Sequence, residues 1–527
     1  MRIEPSYTGL TPEARGSRPA AQPLAVIDIG SNSGRVIVVR LTGVGHLEIL
    51  SDARVPLRLM HDVDTFGSLS TASEQRTLAA LHDFIAVAAG SGARRTIALA
   101  TAAVREASNS AEFVGRLRRR TGLDIRVIDG DEEARLAFSG AVNGLPIENG
   151  VLLDVGGGSL EMARFRNRRA VQSWTLPLGS LRVTDRFLGS DPPKSSEINA
   201  LQEHVTQTLR SSGAAGLRDD ESLVGTGGTI RNLAKMHRAT VVYPIPRLHG
   251  YTLARKGIRD LVAKIVSRPL SRRSTLPGLS SDRADTICGG ALVVQAAFEA
   301  LGASELVVSG QGLREGVAYE EFAHTMPTTA AVRRASLAAI ASRFTSWDGE
   351  RARRRTRLAL ELWDAMRPGA EGEIREALEH AATILDVGRT VDYYRRWEHA
   401  AEIVVSADLH GFSHRSIALI AALIVRAGNR RPSLEPYSAL VEARERRSVS
   451  RAAVLLALAD EVERRIPKGK PVSVQSQTGR GGVILAVPVP HDWEPVEIAG
   501  RFQRVFGREL LIQPTNGSNI REPLSLR

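Results

Sequence analysis

Two segments 126 residues apart carry one pattern. Asp28-Ile29-Gly30-Ser31-Asn32-Ser33 is echoed by Asp154-Val155-Gly156-Gly157-Gly158-Ser159, with Gly two residues and Ser five residues after the Asp. Each copy lies between runs of β-strand character, Leu24–Ile29 and Val36–Val39 around the first. Solenoid units are shorter, so a repeat at this spacing points to a duplicated domain. Between the copies, Ser73–Ala89 has helical spacing, Arg95–Ala100 reads as a buried strand, Glu112–Arg120 as a helix and Ile125–Ile128 as a strand. Strands separated by helices mean an α/β architecture. Two such lobes facing each other leave a cleft, a preferred place for a ligand.

The remaining chain divides by texture. Residues 1–22, rich in Pro, Gly, Ser and Thr without periodicity, read as a flexible tail. Lobes are expected over 23–140 and 141–325, with a linker near Met326-Pro327. From 328 to 466 strand signals give way to helices rich in Ala, Leu and Arg, with five arginines in Arg351–Arg357. After the Pro467–Pro471 linker, alternation at Val472, Val474 and Val483–Val489 predicts a small α+β piece over 471–527.

Composition narrows the class. At 43% hydrophobic and 24% charged residues the chain is an ordinary globular one. The longest apolar run, Ile417–Val425, is far short of the roughly 20 residues of a bilayer span, and no export signal is read at the start. Cys288 is the single cysteine, so no disulfide framework exists and the expected compartment is the cytoplasm. Of 70 Lys and Arg residues only six are Lys, and the net charge is +12. Arginine forks fit phosphate oxygens, while a GC-rich coding sequence would raise Arg equally well. Aromatic residues reach only 5%, with no recognition motif for nucleic acid.

Four glycine loops carry the chemistry. In Asp28–Gly34 and Asp154–Ser159, small residues let backbone N–H groups and serine hydroxyls converge on an anion. Glu161 follows on the returning strand, where it and Asp154 can flank one Mg²⁺ with phosphate oxygens. Gly225–Thr229 follows the strand Ser222–Val224 and opens the helix Ile230–His237, either as an anion site or with Thr229 as a plain cap. Ser309–Gly312 follows the strand Glu305–Val308 and leads into Arg314. Before the helix Ala134–Gly140 stand Asp131, Glu132 and Glu133. They complement the helix dipole, or one of them orients a water for attack on a phosphoryl group.

AVIDIGSNSGRVIVVR, ATAAVREASN, GDEEARLAFSG, LLDVGGGSLEMARF, VGTGGTIRNLAKM, LHGYTL, SDRADTICGGALVV and VVSGQGLREGV follow one another over residues 23–325. In content and order they resemble the exopolyphosphatases and guanosine pentaphosphate phosphohydrolases of the acetate kinase, sugar kinase and actin-like superfamily. That resemblance implies two duplicated ribonuclease-H-like lobes with a phosphate-binding cleft. By position it implies Glu133 as catalytic base, with adjacent Glu132 as the alternative register, and Asp154 and Glu161 as ligands of Mg²⁺ or another divalent cation. It implies phosphate or substrate contacts at Ser31, Asn32, Ser33, Arg35, Arg105, Gly156, Gly157, Gly158, Ser159, Gly227, Gly228, Thr229 and Arg283.

The tail resembles the helical domain, similar to HD-type phosphohydrolases, of the longer members. Its metal-binding histidine is replaced here by Leu385, which leaves His399 as an ordinary helix residue, with His410 and His414 beyond it, Asp386 as structural and the domain as a dimer contact and basic wall. The expected function is exopolyphosphatase, releasing terminal orthophosphate from linear polyphosphate with a carboxylate-activated water. The alternative is hydrolysis of guanosine pentaphosphate to the tetraphosphate, or both activities. A non-catalytic sensor of alarmone or polyphosphate is disfavoured by the three acids. The expected partners are polyphosphate, guanosine penta- or tetraphosphate and a second copy of the chain, without nucleic acid or membrane.

Overall fold

The computed structural model describes residues 20–323, 325–366, 372–428, 433–469, 475–478, 482–487, 489 and 493–514. The chain forms two compact units, one of Arg18–Val242 with Arg247–Arg333, the other of Tyr243–Pro246 with Arg334–Arg527. Nearly all of the expected tail, and Val472 and Val474, lie outside the described residues.

The first unit holds two sheets. β1 (Leu24–Ile29), β2 (Ser33–Leu41), β3 (Leu47–Pro56), β4 (Arg95–Ala100) and β5 (Ile125–Val127) pair in the order β3-β2-β1-β4-β5. β1 is antiparallel to β2 and parallel to β4. The near-continuous apolar run of β1 is buried on both sides, as a central strand covered by helices requires. Its two-residue period divides it between two cores. Ala25, Ile27 and Ile29 pack with Leu78, Leu81 and Phe84 of the helix Thr71–Gly90. Leu24 and Val26 pack with Val317, Ala318 and Tyr319 of the helix Leu313–Phe322.

β6 (Gly150–Val155), β7 (Leu160–Arg166), β8 (Arg169–Leu176), β9 (Ser222–Thr226), β10 (Tyr251–Ala254) and β11 (Glu305–Val308) form the second sheet, ordered β10-β11-β9-β6-β7-β8. From β8 to β11 the order and strand senses repeat those of the first sheet, and β10 adds an antiparallel edge. The two glycine turns therefore join equivalent strands, β1 to β2 and β6 to β7. Asp28 pairs with Arg35 in one, Asp154 with Glu161 in the other.

Two helices cross closely beside the sheets. A Cβ on Gly140 of the helix Gly130–Asn143 would lie 1.9 Å from Gly312 O, and one on Gly316 1.9 Å from Leu136 O. Only glycine allows that approach.

In the second unit the helices Gly349–Met366, Gly372–Ile384, Arg396–Ser406, His414–Ala427 and Arg446–Glu463 enclose one apolar core. His414–Ala427 carries the longest apolar run and buries every residue from Ile417 to Ile424. Among the described residues no helix is long and apolar enough to cross a membrane. β12 (Gln475–Thr478), β13 (Gly482–Val487) and β14 (Glu509–Pro514) follow, with the helix Val496–Phe506. Three of the arginines in 351–357 turn inward: Arg351 and Arg354 onto Glu463 at 2.7 and 2.6 Å, and Arg355 between Asp386 and Asp460 at 2.9 and 3.2 Å. These side chains neutralise buried carboxylates and do not face solvent as a basic surface.

Candidate active site

The two glycine turns, the start of β9's following helix and the loop after β11 surround a cavity of about 110 Å³ in the first unit. Ser31, Asn32, Ser33, Arg35, Glu133, Asp154, Gly156, Gly157, Ser159, Glu161, Gly227, Gly228 and Arg283 all line it. Gly158, Thr229, Arg105 and Glu132 stand outside. A Cβ on Gly158 would meet Met60 Cε at 2.1 Å, so this glycine serves turn packing. Thr229 is buried behind the loop, where a Cβ on Gly290 would touch its hydroxyl at 2.8 Å.

Two helix starts differ from the sequence expectation, with consequences for the site. Gly130–Asn143 begins four residues before Ala134, because Asp129 caps it by accepting from Glu132 N at 2.8 Å. Glu132 and Glu133 therefore occupy one helical turn about 100° apart. Glu133 faces the cavity, and Arg105 Nη1 donates to its Oε2 at 3.0 Å and to Ile128 O at 2.8 Å. Glu132 points elsewhere and pairs with Arg126 at 2.5 Å. Likewise β9 runs to Thr226 and the next helix, Gly227–Arg238, starts three residues before Ile230. The residue before the helix is Thr226, not Thr229, and its hydroxyl donates to Gln311 O at 2.6 Å. The free N–H groups of Gly227 and Gly228 belong to the helix N-terminus at the cavity wall, an anion-binding geometry. Gly227 has φ +89°, and a Cβ there would lie 2.5 Å from Asp154 Oδ1.

Five carboxylates, of Asp28, Glu133, Asp154, Glu161 and Glu315, and four guanidinium groups meet in this small space. Burial pushes Asp28 up to about 6, against the pull of Arg314 and Arg35. Burial pushes Glu133 up to about 7 despite its pairing with Arg105. Asp154 is raised by burial, and Glu161 is raised well above the usual range by burial and by the charges of Glu133 and Asp154. Asp28 Oδ1 and Glu161 Oε1 are buried with no hydrogen-bond partner. Arg35 is held well below its ordinary value by burial and by Arg231, Arg314 and Arg283. Arg231 is lowered for the same reasons, and Arg283 falls to about 10 with its buried Nε unpartnered. Mutual repulsion among like charges on both sides leaves the pocket with unmet demand for anions and for a cation. The orphaned oxygens and the Asp154–Glu161 cross-strand pair fit a hard divalent ion.

Sequence reasoning did not assign Asp28, Arg231, Arg314 and Glu315 to the site, and all four line the cavity. Arg231 lies one turn after Gly227 on the same helix, so i, i+4 spacing would have placed it on the loop's face. Arg314 follows the fourth glycine loop, where Glu315 Oε2 accepts from Gly312 N at 2.8 Å.

The Ppx/GppA phosphatase family matches residues 37–325, more than half of the chain, and domain III of the same family matches residues 332–494. The chain belongs to the Ppx/GppA phosphatase family. Exopolyphosphatase 1 of Mycobacterium tuberculosis is 31% identical over 318 residues, which span 60% of this chain and 92% of that protein. Exopolyphosphatase 1 of Mycobacterium leprae is 32% identical over 298 residues, 56% of this chain and 88% of that one. The crystal structure of the Aquifex aeolicus family member is 29% identical, with TM-score 0.51 over 58% of this chain and 98% of its own. An exopolyphosphatase from Cytophaga hutchinsonii, 24% identical with TM-score 0.52, shares the fold. The mixed α/β unit of this phosphatase is thus of the Ppx/GppA type.

Proposed function

We propose that the protein is an exopolyphosphatase, a phosphoric anhydride hydrolase that removes terminal orthophosphate from linear inorganic polyphosphate. The observation that carries this reading is the lining of the cleft. Arg35, Arg231, Arg283 and Arg314, two glycine turns and a helix N-terminus face buried carboxylates, and among the described residues no aromatic side chain lines the cavity. Such a wall grips phosphoryl oxygens and offers no ring on which a nucleobase stacks.

Glu133, held near neutrality by burial and oriented by Arg105, takes a proton from a water. The water oxygen bonds to the terminal phosphorus as the bridging P–O bond breaks, and the electron pair leaves with the shortened chain. The turn N–H group of Gly157, the hydroxyls of Ser31, Ser33 and Ser159 and the four arginines hold the phosphoryl oxygens in line and take up their charge, while the Gly156 N–H closes the turn by donating to Ser159 O at 3.0 Å. Asp154 and Glu161 would hold a divalent cation, Mg²⁺ by chemical class, which when bound neutralises further negative charge on the substrate oxygens.

In the second unit the helical fold is read as HD-like without its metal, because Asp386 and Asp460 close on the Arg355 guanidinium. A cytoplasmic homodimer remains the working assembly. The substrate assignment is tested by orthophosphate release from long polyphosphate and from guanosine pentaphosphate. Faster release from polyphosphate is expected; turnover of the pentaphosphate alone would reassign the enzyme.

A further inference from the structure

The second unit holds another cavity, of about 340 Å³, that the reaction above does not use. It lies where the start of the helix Arg396–Ser406 meets Arg446–Glu463 and Val496–Phe506, and its size falls in the usual range for a small-molecule pocket. Its lining is opposite in kind to that of the cleft. Tyr393, Tyr394, Trp397 and Trp493 contribute to it, two of the chain's seven tyrosines and two of its five tryptophans. Tyr394 is 91% exposed and Tyr393 46%, so flat apolar surface faces solvent at this place.

Guanidinium groups lie against the rings. Arg465 sits 4.1 Å from the Trp493 centroid, and Arg396 5.3 and 5.1 Å from those of Tyr393 and Trp397. Arg396 is the informative residue. Its side chain is 7% exposed, its Nη2 donates to Asp460 Oδ2 at 2.7 Å, and its Nη1 is buried without an acceptor. A charged donor left so is costly and calls for an anion. A bare phosphate chain would satisfy the arginines but would meet Glu461, Glu494 and Glu497 in the same lining. A ligand carrying both a phosphate and a planar base with N–H groups satisfies all three classes of residue. The base stacks on the rings, its N–H groups meet the carboxylates, and the phosphate meets the guanidinium groups.

We propose that this cavity is a nucleotide-binding site, separate from the catalytic cleft. The test uses the full-length protein carrying Glu133→Gln, so that triphosphates are not consumed. Irradiation with 8-azidoadenosine triphosphate is followed by peptide mapping, with ATP or tripolyphosphate as competitor. Labelling should fall on the segment containing residues 393–397 or the one containing Trp493, and ATP should suppress it far better than tripolyphosphate. ATP should also quench tryptophan fluorescence. Tyr394→Ala, at an exposed position, should weaken ATP binding at least about fivefold, the lower end of the loss expected for one stacked base. In the otherwise wild-type enzyme, Tyr394→Ala should leave tripolyphosphate hydrolysis unchanged. Because Arg396 is buried, Arg465→Gln serves as the guanidinium variant and should weaken ATP binding as well. Labelling confined to residues 28–315, equal competition by tripolyphosphate, or unaltered ATP binding in both variants would overturn the proposal.

Discussion

Glu132 and Glu133 show how much one helical step decides. They are neighbours of identical chemistry, yet one is engaged by Arg126 outside the cavity and the other faces it with a carboxyl raised to about 7. Glu133→Gln should lower turnover by about 10²–10⁴, the range of general-base catalysis, with polyphosphate binding retained. Glu132→Gln should stay within a few-fold of wild type, and steady-state kinetics of both variants checks this. The base works as the carboxylate, so kcat/KM should rise as pH increases through about 7. Arg105 favours the ionised form, and Arg105→Gln should therefore move that limb to higher pH, which a pH–rate profile reads directly. Asp28 gives a stability counterpart. Its folded-state value of about 6 lies above its ordinary 3.8, so the native state prefers its protonated form. Stability from that preference is complete below pH 3.8 and is lost as pH rises through 6. Asp28→Asn should raise the melting temperature at pH 8, by up to about 3 kcal/mol in stability, with the gain vanishing near pH 4. Calorimetry at the two pH values decides it.

At the scale of elements, the glycine turns and their flanking strands were legible because the information is local. An apolar run, a tight turn and a β-branched run need no distant partner to be recognised, and β4 spans the expected Arg95–Ala100. Helix starts were less legible. The apolar pattern starts only at Ala134, whereas Asp129 caps the helix and the acidic residues after it form its first turn. The arginine-rich stretch is hard to read in another way. Its charge alone does not say which way each side chain points, and helix periodicity turns Arg355 into the core between Asp386 and Asp460. Arg355→Met should destabilise the helical unit by about 3 kcal/mol, because it removes the closest cation from buried Asp386, while Asp460 keeps Arg396 at 2.7 Å. Urea unfolding followed by circular dichroism measures the loss. A value near zero would mean that those carboxylates are protonated or hydrated.

At the scale of the molecule, Arg231 and Arg314 were not assigned from sequence because their place depends on convergence. One comes from the helix after β9, the other from the first turn of the helix Leu313–Phe322 after β11, and they meet Arg35 of β2 only once both sheets are built. Every residue lining the cleft lies between Asp28 and Glu315. The match to the Mycobacterium tuberculosis relative spans 60% of this chain and 92% of that protein, and the compact first unit ends at Arg333. A fragment ending at residue 333 should accordingly hydrolyse tripolyphosphate at a rate within a few-fold of the full chain, measured as released orthophosphate. The central claim, water attack at the terminal phosphorus of a polyphosphate, is tested most directly by hydrolysis of long-chain polyphosphate in ¹⁸O-labelled water. The account predicts that each orthophosphate released carries one ¹⁸O while the remaining chain shortens one unit at a time and stays unlabelled. Internal fragments, or label retained in the chain, would contradict it.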